Sequence, residues 1–271
     1  MKIAVCYSGF LRDIQSNISN FQTNIIRDNQ VDYFIHTWDV DEYFSEIKFA
    51  EEYLKPKFLF AEKPKSFEIN PYDFINSKVI EEEYREELEF NIEKLESLGE
   101  NKKVFPPASI KNNFNFLKEK EVLKLWHYGC EPYKVISQYY SIHKSNELKK
   151  IYEYQNKFRY DLVIRNRTDN KFNLQIDLSN FDIKTLNVLD RGSHKGSDLS
   201  MCDLFAFSSS DIMDTYADCF LYIPALYYSY DVDFIPEILL DKYVRINNIP
   251  VNKISDIVTV TKGSLSKELN L

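Results

Sequence analysis

Short, nearly unbroken apolar runs alternate along this chain with segments whose apolar residues recur at every third or fourth position. Residues 2–8 (KIAVCYS), 31–36 (VDYFIH) and 57–61 (KFLFA) have the length and composition of strands covered on both faces. Between them Ile14, Ile18, Phe21 and Ile25, and then Tyr43, Ile47 and Ala50, mark the buried stripes of two helices. A β-α-β-α-β alternation of this kind predicts a parallel sheet with right-handed crossovers. Farther on, residues 133–155 predict a long helix with Ile136, Tyr140, Leu148 and Tyr152 toward the core, and it leads into a central strand at 160–164 (YDLVI). Residues 202–208 (CDLFAFS) form a further strand, and Ser209 or Ser210 caps a helix running to about Tyr222. Pro236-Glu237 opens a helix at 237–244, because proline suits the first turn and an acidic side chain suits the positive end of the helix dipole. The tail, 246–271, holds one or two short strand-like pieces.

One segment breaks the alternation. Pro64, Pro71, Pro106 and Pro107 bracket a Glu-rich stretch, 76–100, whose apolar residues (Val79, Ile80, Tyr84, Leu88, Ile92 and Leu95) sit at helical spacing, and 114–126 adds a shorter helix. The expected architecture is therefore an α/β fold in one domain, 1–271, with a helical insertion at 62–130. The carboxylates of that insertion read as a solvated helix face.

Composition narrows the function. A net charge of −8 and a pI near 5.2 argue against a nucleic-acid binder, which needs a basic surface. Six glycines leave little room for a glycine-rich phosphate cradle, and neither G-x-G-x-x-G nor a Walker A pattern occurs. Cys6, Cys130, Cys202 and Cys219 are widely spaced without a C-x-x-C, which suggests reduced, buried thiols in a cytoplasmic protein. The first residues lack a signal-peptide layout, and the most apolar stretch, 219–230, is too short and tyrosine-rich to be a transmembrane segment. The 19 tyrosines and 20 phenylalanines suit polar ring-shaped ligands, although an A·T-rich coding bias gives the same enrichment.

Candidate chemistry gathers where the predicted strands end, which is where open α/β sheets hold ligands. The first strand ends in Ser8-Gly9-Phe10 with Arg12 at the following helix start, a place for a phosphate near free backbone N–H groups. The second ends in His36-Thr37-Trp38-Asp39, types that stack on a base or bond ribose hydroxyls; Asp39 also suits a helix N-cap. The central strand ends in Arg165-Asn166-Arg167-Thr168-Asp169. If the chain stays extended, Arg165, Arg167 and Asp169 point to one side, two guanidiniums for phosphate oxygens and one carboxylate for a divalent cation. The plain alternative is a surface ion pair worth about 0–1 kcal/mol. On the long helix Ser141, Lys144 and Ser145 share a stripe that could reach the cleft. Residues 190–200 read as a mobile loop carrying His194 and Lys195.

Taken in order, KIAVCYSGFLR at 2–12, DYFIHTWD at 32–39, SQYYSIHKSNELKK at 137–150, YDLVIRNRTD at 160–169, CDLFAFSSSDIM at 202–213 and IPEILLDKYV at 235–244 resemble a family of small glycosyltransferase-like proteins of bacteria, phages and giant viruses, linked to capsule, lipopolysaccharide or viral glycan synthesis. The resemblance spans nearly the whole chain except the insertion and the tail. It implies a GT-A-like fold with a mostly parallel, Rossmann-like sheet, a nucleoside-diphosphate sugar donor, a glycan acceptor and a divalent metal, Mn²⁺ or Mg²⁺. The family's acidic motif, usually D-x-D, corresponds here to R-x-R-x-D with Asp169 as the metal-binding carboxylate, and Thr168 stands where the family commonly has proline. Ser8, Gly9, Phe10, Arg12, His36, Thr37, Asp39, Lys144, Arg165 and Arg167 would then line the donor site. Asp203, ahead of Glu237, is the candidate for deprotonating the acceptor hydroxyl. The rival reading is a non-catalytic nucleotide-sugar or carbohydrate-binding protein of the same fold. A phosphoryl- or sulfuryl-transfer enzyme anchored by Arg12 ranks below it, because the glycine-rich loop is missing.

Overall fold

A computed structural model describes residues 1–64, 67–69, 103–105, 132–190, 200–228, 232, 235–255 and 257–261. In chain order the elements are β1 (Ile3–Ser8), α1 (Ile14–Phe21), β2 (Val31–Trp38), α2 (Phe44–Phe49), β3 (Phe58–Glu62), β4 (Phe67–Ile69), β5 (Lys103–Phe105), α3 (Pro132–Asn156), β6 (Leu162–Asn166), β7 (Asn170–Phe172), β8 (Leu186–Asp190), β9 (Phe205–Ser208), α4 (Ser210–Ala217), α5 (Cys219–Tyr228), α6 (Pro236–Ile246), β10 (Val251–Ser255) and β11 (Val258–Val260). Seven strands form the main sheet in the order β10-β8-β9-β6-β1-β2-β3. β9 runs antiparallel to β6 and β8, and every other pairing in that sheet is parallel. The fold is thus α/β with a mostly parallel, Rossmann-like central sheet flanked by helices.

The pleat explains how the sheet sits between two cores. Successive side chains of a strand face opposite ways. In β1, Ala4 and Cys6 enter a layer with Ile136 and Tyr139 of α3, Met213 and Tyr216 of α4, and Leu239 and Tyr243 of α6. Val5 and Tyr7 enter the opposite layer with Ile14, Ile18 and Phe21 of α1 and Ile47 of α2. Every residue of β1 and β6 is buried. That is why these runs read as continuous apolar segments and not as alternating ones.

Four local expectations change. β2 continues through Thr37 and Trp38, because Trp38 pairs with Glu62 at the end of β3. The chain after β6 does not stay extended: it turns at Thr168-Asp169, closed by a bond from the Asn170 N–H to the Arg167 carbonyl (3.3 Å), and returns as β7. The predicted helix to Tyr222 is two helices that part at Asp218, and Ser209 caps α4 without a side-chain bond. Asp39 caps no helix; its carboxylate meets Lys63 Nζ at 3.0 Å instead. Within 62–130, β4 and β5 pair antiparallel, while the helices predicted at 76–100 and 114–126 lie outside the described residues, as do His194 and Lys195. The tail supplies β10, parallel to β8 at the sheet edge, and β11, antiparallel to β7. Among the described residues no helix is long and apolar enough to cross a membrane.

Candidate functional site

Parallel register brings the predicted strand ends to one edge. Ser8 lies opposite His36, Tyr7 opposite Asn166, and Asn166 opposite Phe205 at the entrance of β9. The segments after β1, β2 and β6, and the segment before β9, therefore converge at the carboxyl edge of the sheet's middle.

On the β1–β2 side the turn is made at Gly9, whose φ of +88° is a left-handed value that favours glycine. Its N–H points inward, to the His36 carbonyl at 3.2 Å and to Ser141 Oγ at 2.5 Å. Ser141 Oγ also lies 2.7 Å from His36 Nδ1, and His36 Nε2 lies 2.8 Å from Glu62 Oε1. Ser141 Oγ also lies 3.3 Å from the His36 carbonyl, so the serine hydroxyl meets both the ring and the backbone of His36. His36 and Ser141 are completely buried, so this relay supports the glycine turn from beneath. His36 and Thr37, expected to line the pocket, both lie inside β2 with their side chains buried, His36 in the predicted strand and Thr37 in its extension. Above the turn Arg12 is exposed, and Phe10 and Tyr43 are half-buried. The Phe10 and Tyr43 rings lie 5.1 Å apart, and the Arg12 guanidinium sits 5.3 Å from the centre of the Phe10 ring. Lys144 is bound to Glu147 on its own helix at 2.5 Å and lies 5.8 Å from the Tyr140 ring centre. Ser145 bonds the Ile142 carbonyl within α3.

On the β6–β9 side the expected trio divides. Arg165 remains in the strand and is 2% exposed, donating through Nη1 to the Asp203 carbonyl, while its Nε has no partner. The turn at Thr168-Asp169 folds the Asp169 carboxylate back onto Arg167, so the three side chains do not form the extended row expected of them. Arg167 and Asp169 face each other across that turn, Nε to Oδ1 at 2.9 Å and Nη2 to Oδ2 at 2.5 Å. Burial opposes the charge of Arg167, but the Asp169 carboxylate outweighs it, with Asp203 adding to the effect, and its pKa is raised. Asp203 is buried, and its Oδ2 accepts from Gln138 of α3. Glu237, half-buried at the start of α6, has a raised pKa because of burial first and the Asp203 charge second, with Arg167 pulling the other way. The fold thus brings Arg165, Arg167, Asp169, Asp203 and Glu237 into one neighbourhood. It sets two of the carboxylates in contrasting environments, one held by an amide and one with its proton affinity increased.

Glu62, Gln138 and Tyr43 join the site without having been singled out for it. Glu62 closes β3, so the rule that strand ends carry chemistry would have found it. Gln138 and Tyr43 had no such signal.

Asp169 is the carboxylate expected to hold a metal. Both of its oxygens are taken by the Arg167 fork, and among the described residues no three His, Cys, Asp or Glu side chains are grouped to hold an ion. A hard divalent cation needs several oxygen ligands. As they stand, these residues do not fit a resident Mn²⁺ or Mg²⁺. No protein-family model matches the chain, and no curated protein matches it.

Proposed function

We propose that this chain is a nucleotide-sugar-dependent glycosyltransferase of GT-A-like type, moving a sugar from a nucleoside diphosphate to a hydroxyl of a glycan acceptor. The observation that carries the reading is the meeting, at the carboxyl edge of one sheet, of an aromatic–arginine group (Phe10, Tyr43, Arg12) with an arginine–carboxylate cluster containing a proton-hungry Glu237. A base stacks on the rings, Asp39 takes ribose hydroxyls, and Arg12 and Arg167 face the diphosphate. Charge grows on that diphosphate as the bond from its oxygen to the sugar's anomeric carbon breaks, and the guanidiniums stabilise it. In a direct displacement the acceptor oxygen bonds to the anomeric carbon and its proton passes to a carboxylate. The geometry favours Glu237 for that proton over Asp203: Asp203 is buried and engaged by Gln138, while Glu237 is more open and its affinity for a proton is increased.

The pairing of Asp169 with Arg167 favours a second reading, a nucleotide-sugar- or carbohydrate-binding protein that keeps the fold without the chemistry. A thermal-melt series with UDP, GDP, CMP and dTDP, each with and without Mn²⁺, followed by donor turnover, separates the two. Ligand at about 100 times Kd adds roughly 2.7 kcal/mol, a shift of a few degrees for a chain of this size. A shift with one nucleotide, with turnover lost in Glu237→Gln, supports the transferase. A shift without turnover supports the binding protein. If no nucleotide moves the melt, the donor-site assignment is wrong.

A further inference from the structure

We infer that Asp169 serves as an internal anion that occupies the Arg167 fork and is displaced from it by a diphosphate, and is not the cation ligand of the donor site. The inference rests on the donor-site reading for the identity of the diphosphate, but its geometry stands on its own.

Both backbones are held, Arg167 by its N–H on the Leu204 carbonyl at 3.3 Å, and the two halves of the pair differ in their side chains. The backbone around Asp169 is tied from several directions: its carbonyl accepts from the Thr261 N–H at 2.8 Å and from Thr261 Oγ1 at 3.1 Å. The Thr168 carbonyl accepts from Asn17 Nδ2 at 3.1 Å, and Thr168 Oγ1 lies 3.2 Å from the Phe10 carbonyl. Thr261 Oγ1 also lies 3.0 Å from Asp13 Oδ2, so the residue after β11 links this turn to the start of α1. The Asp169 side chain is 7% exposed, whereas that of Arg167 is 27% exposed. Arg167 also has the longer chain and more rotatable bonds. The arginine is the half that can turn outward.

The chemistry of the fork makes the exchange specific. A guanidinium presents parallel N–H groups that match a carboxylate and a phosphate equally well, so the two compete for one edge. Around that edge the carboxylates of Asp169, Asp203 and Glu237 outnumber the guanidiniums of Arg165 and Arg167, and Arg167 is bonded to Asp169. A bare diphosphate meets this negative charge unless the arginine comes forward to it. Removing the charge of Asp169 while keeping its shape must therefore release Arg167 and lower the repulsion together. A metal ligand at the same position predicts the opposite, since an amide is a poor substitute for a carboxylate on a hard cation.

The test titrates inorganic pyrophosphate, and then UDP and GDP, in the presence of EDTA into the full-length wild type, Asp169→Asn and Arg167→Gln, following heat or melting temperature. Asp169→Asn is expected to bind pyrophosphate about tenfold more tightly than the wild type, a gain of about 1.4 kcal/mol by the equilibrium relation. Arg167→Gln is expected to lose the binding. Unchanged or weaker binding by Asp169→Asn overturns the inference, as does pyrophosphate binding that survives in Arg167→Gln. Should Asp169→Asn not fold, Asp169→Ser replaces it with the same expectation and the same overturning result. If pyrophosphate behaves as expected while no nucleoside diphosphate binds better than pyrophosphate, the latch stands and the donor-site reading falls.

Discussion

Two clusters of charged side chains lie at the two ends of β6, and they are built on opposite terms. Before the strand, Glu153 accepts from Arg159 Nη1 at 2.7 Å, Ser210 Oγ at 2.7 Å and the Tyr160 N–H at 2.8 Å, with Lys149 Nζ at 3.3 Å. Asp214 takes Lys149 at 2.6 Å, Asn146 at 2.8 Å and Arg159 at 2.6 Å. Burial works against the Asp214 charge, yet Lys149 and Arg159 more than offset it and its pKa is lowered. After the strand the accounting is incomplete. Arg165 Nε and Asn170 Oδ1 are buried without partners, and the pKa of Glu237 is raised by burial and by Asp203. Charges of the same kinds, on one strand and its flanking helices, are saturated at one end and left partly unanswered at the other. Saturation serves the fold, because a buried charge is tolerated only when fully paired. Incomplete satisfaction at the carboxyl edge of a parallel sheet leaves room for a ligand to supply the missing partners.

The largest effect that would sharpen this contrast is Lys149→Met. It leaves Glu153 and Asp214 with only the exposed Arg159 as cation, and the expected loss is about 3–5 kcal/mol in urea unfolding. A loss below about 1 kcal/mol would show that the first cluster is not the structural one. The same cluster has a pH signature. Because the folded pKa of Asp214 is depressed, its contribution is present above the ordinary carboxylate value and disappears as pH falls through the folded value. Asp214→Asn should flatten that acid limb.

A smaller effect belongs to Gly9→Ala. A Cβ there meets nothing within 4 Å, so only the left-handed backbone resists it, at a cost of about 1–2 kcal/mol. A much larger loss would mean that the turn and its Ser141–His36 support move together. The smallest change in stability is expected for Glu237→Gln, within about 1 kcal/mol of the wild type or slightly stabilising at neutral pH. Between the ordinary glutamate value and the raised folded pKa, the folded state holds more protons than the unfolded one, so stability falls as pH rises through that window. Glutamine removes that slope. Donor turnover should disappear in the same variant while nucleotide binding survives; a fully active Glu237→Gln would return the base role to Asp203.

Much of the fold was legible without coordinates. The apolar runs of β1, β2, β3 and β6 and the helical stripes of α1 and α3 are local patterns, and burial on both faces of a parallel sheet leaves a local mark in the sequence. The site was legible in outline for the same reason: Gly9, Arg12, Arg167, Asp169, Asp203 and Glu237 fall where those patterns stop. Where each pattern stops in space was another matter. Trp38 extends β2 because Glu62 lies opposite it, and that extension takes in Thr37, whose side chain is buried. The turn at Thr168-Asp169 closes Asp169 onto Arg167 and leaves Arg165 in the strand, and Thr261, 92 residues from Asp169, ties that turn down. The antiparallel insertion of β9 between β6 and β8 delivers Asp203 to the same edge as the ends of the parallel strands. The sequence by itself determined which segments form strands and helices and which side chains stand near their ends, since these follow from spacing along the chain. Register, strand length and the partner of every buried charge were decided only by tertiary structure, since each is a contact between residues that no local pattern relates.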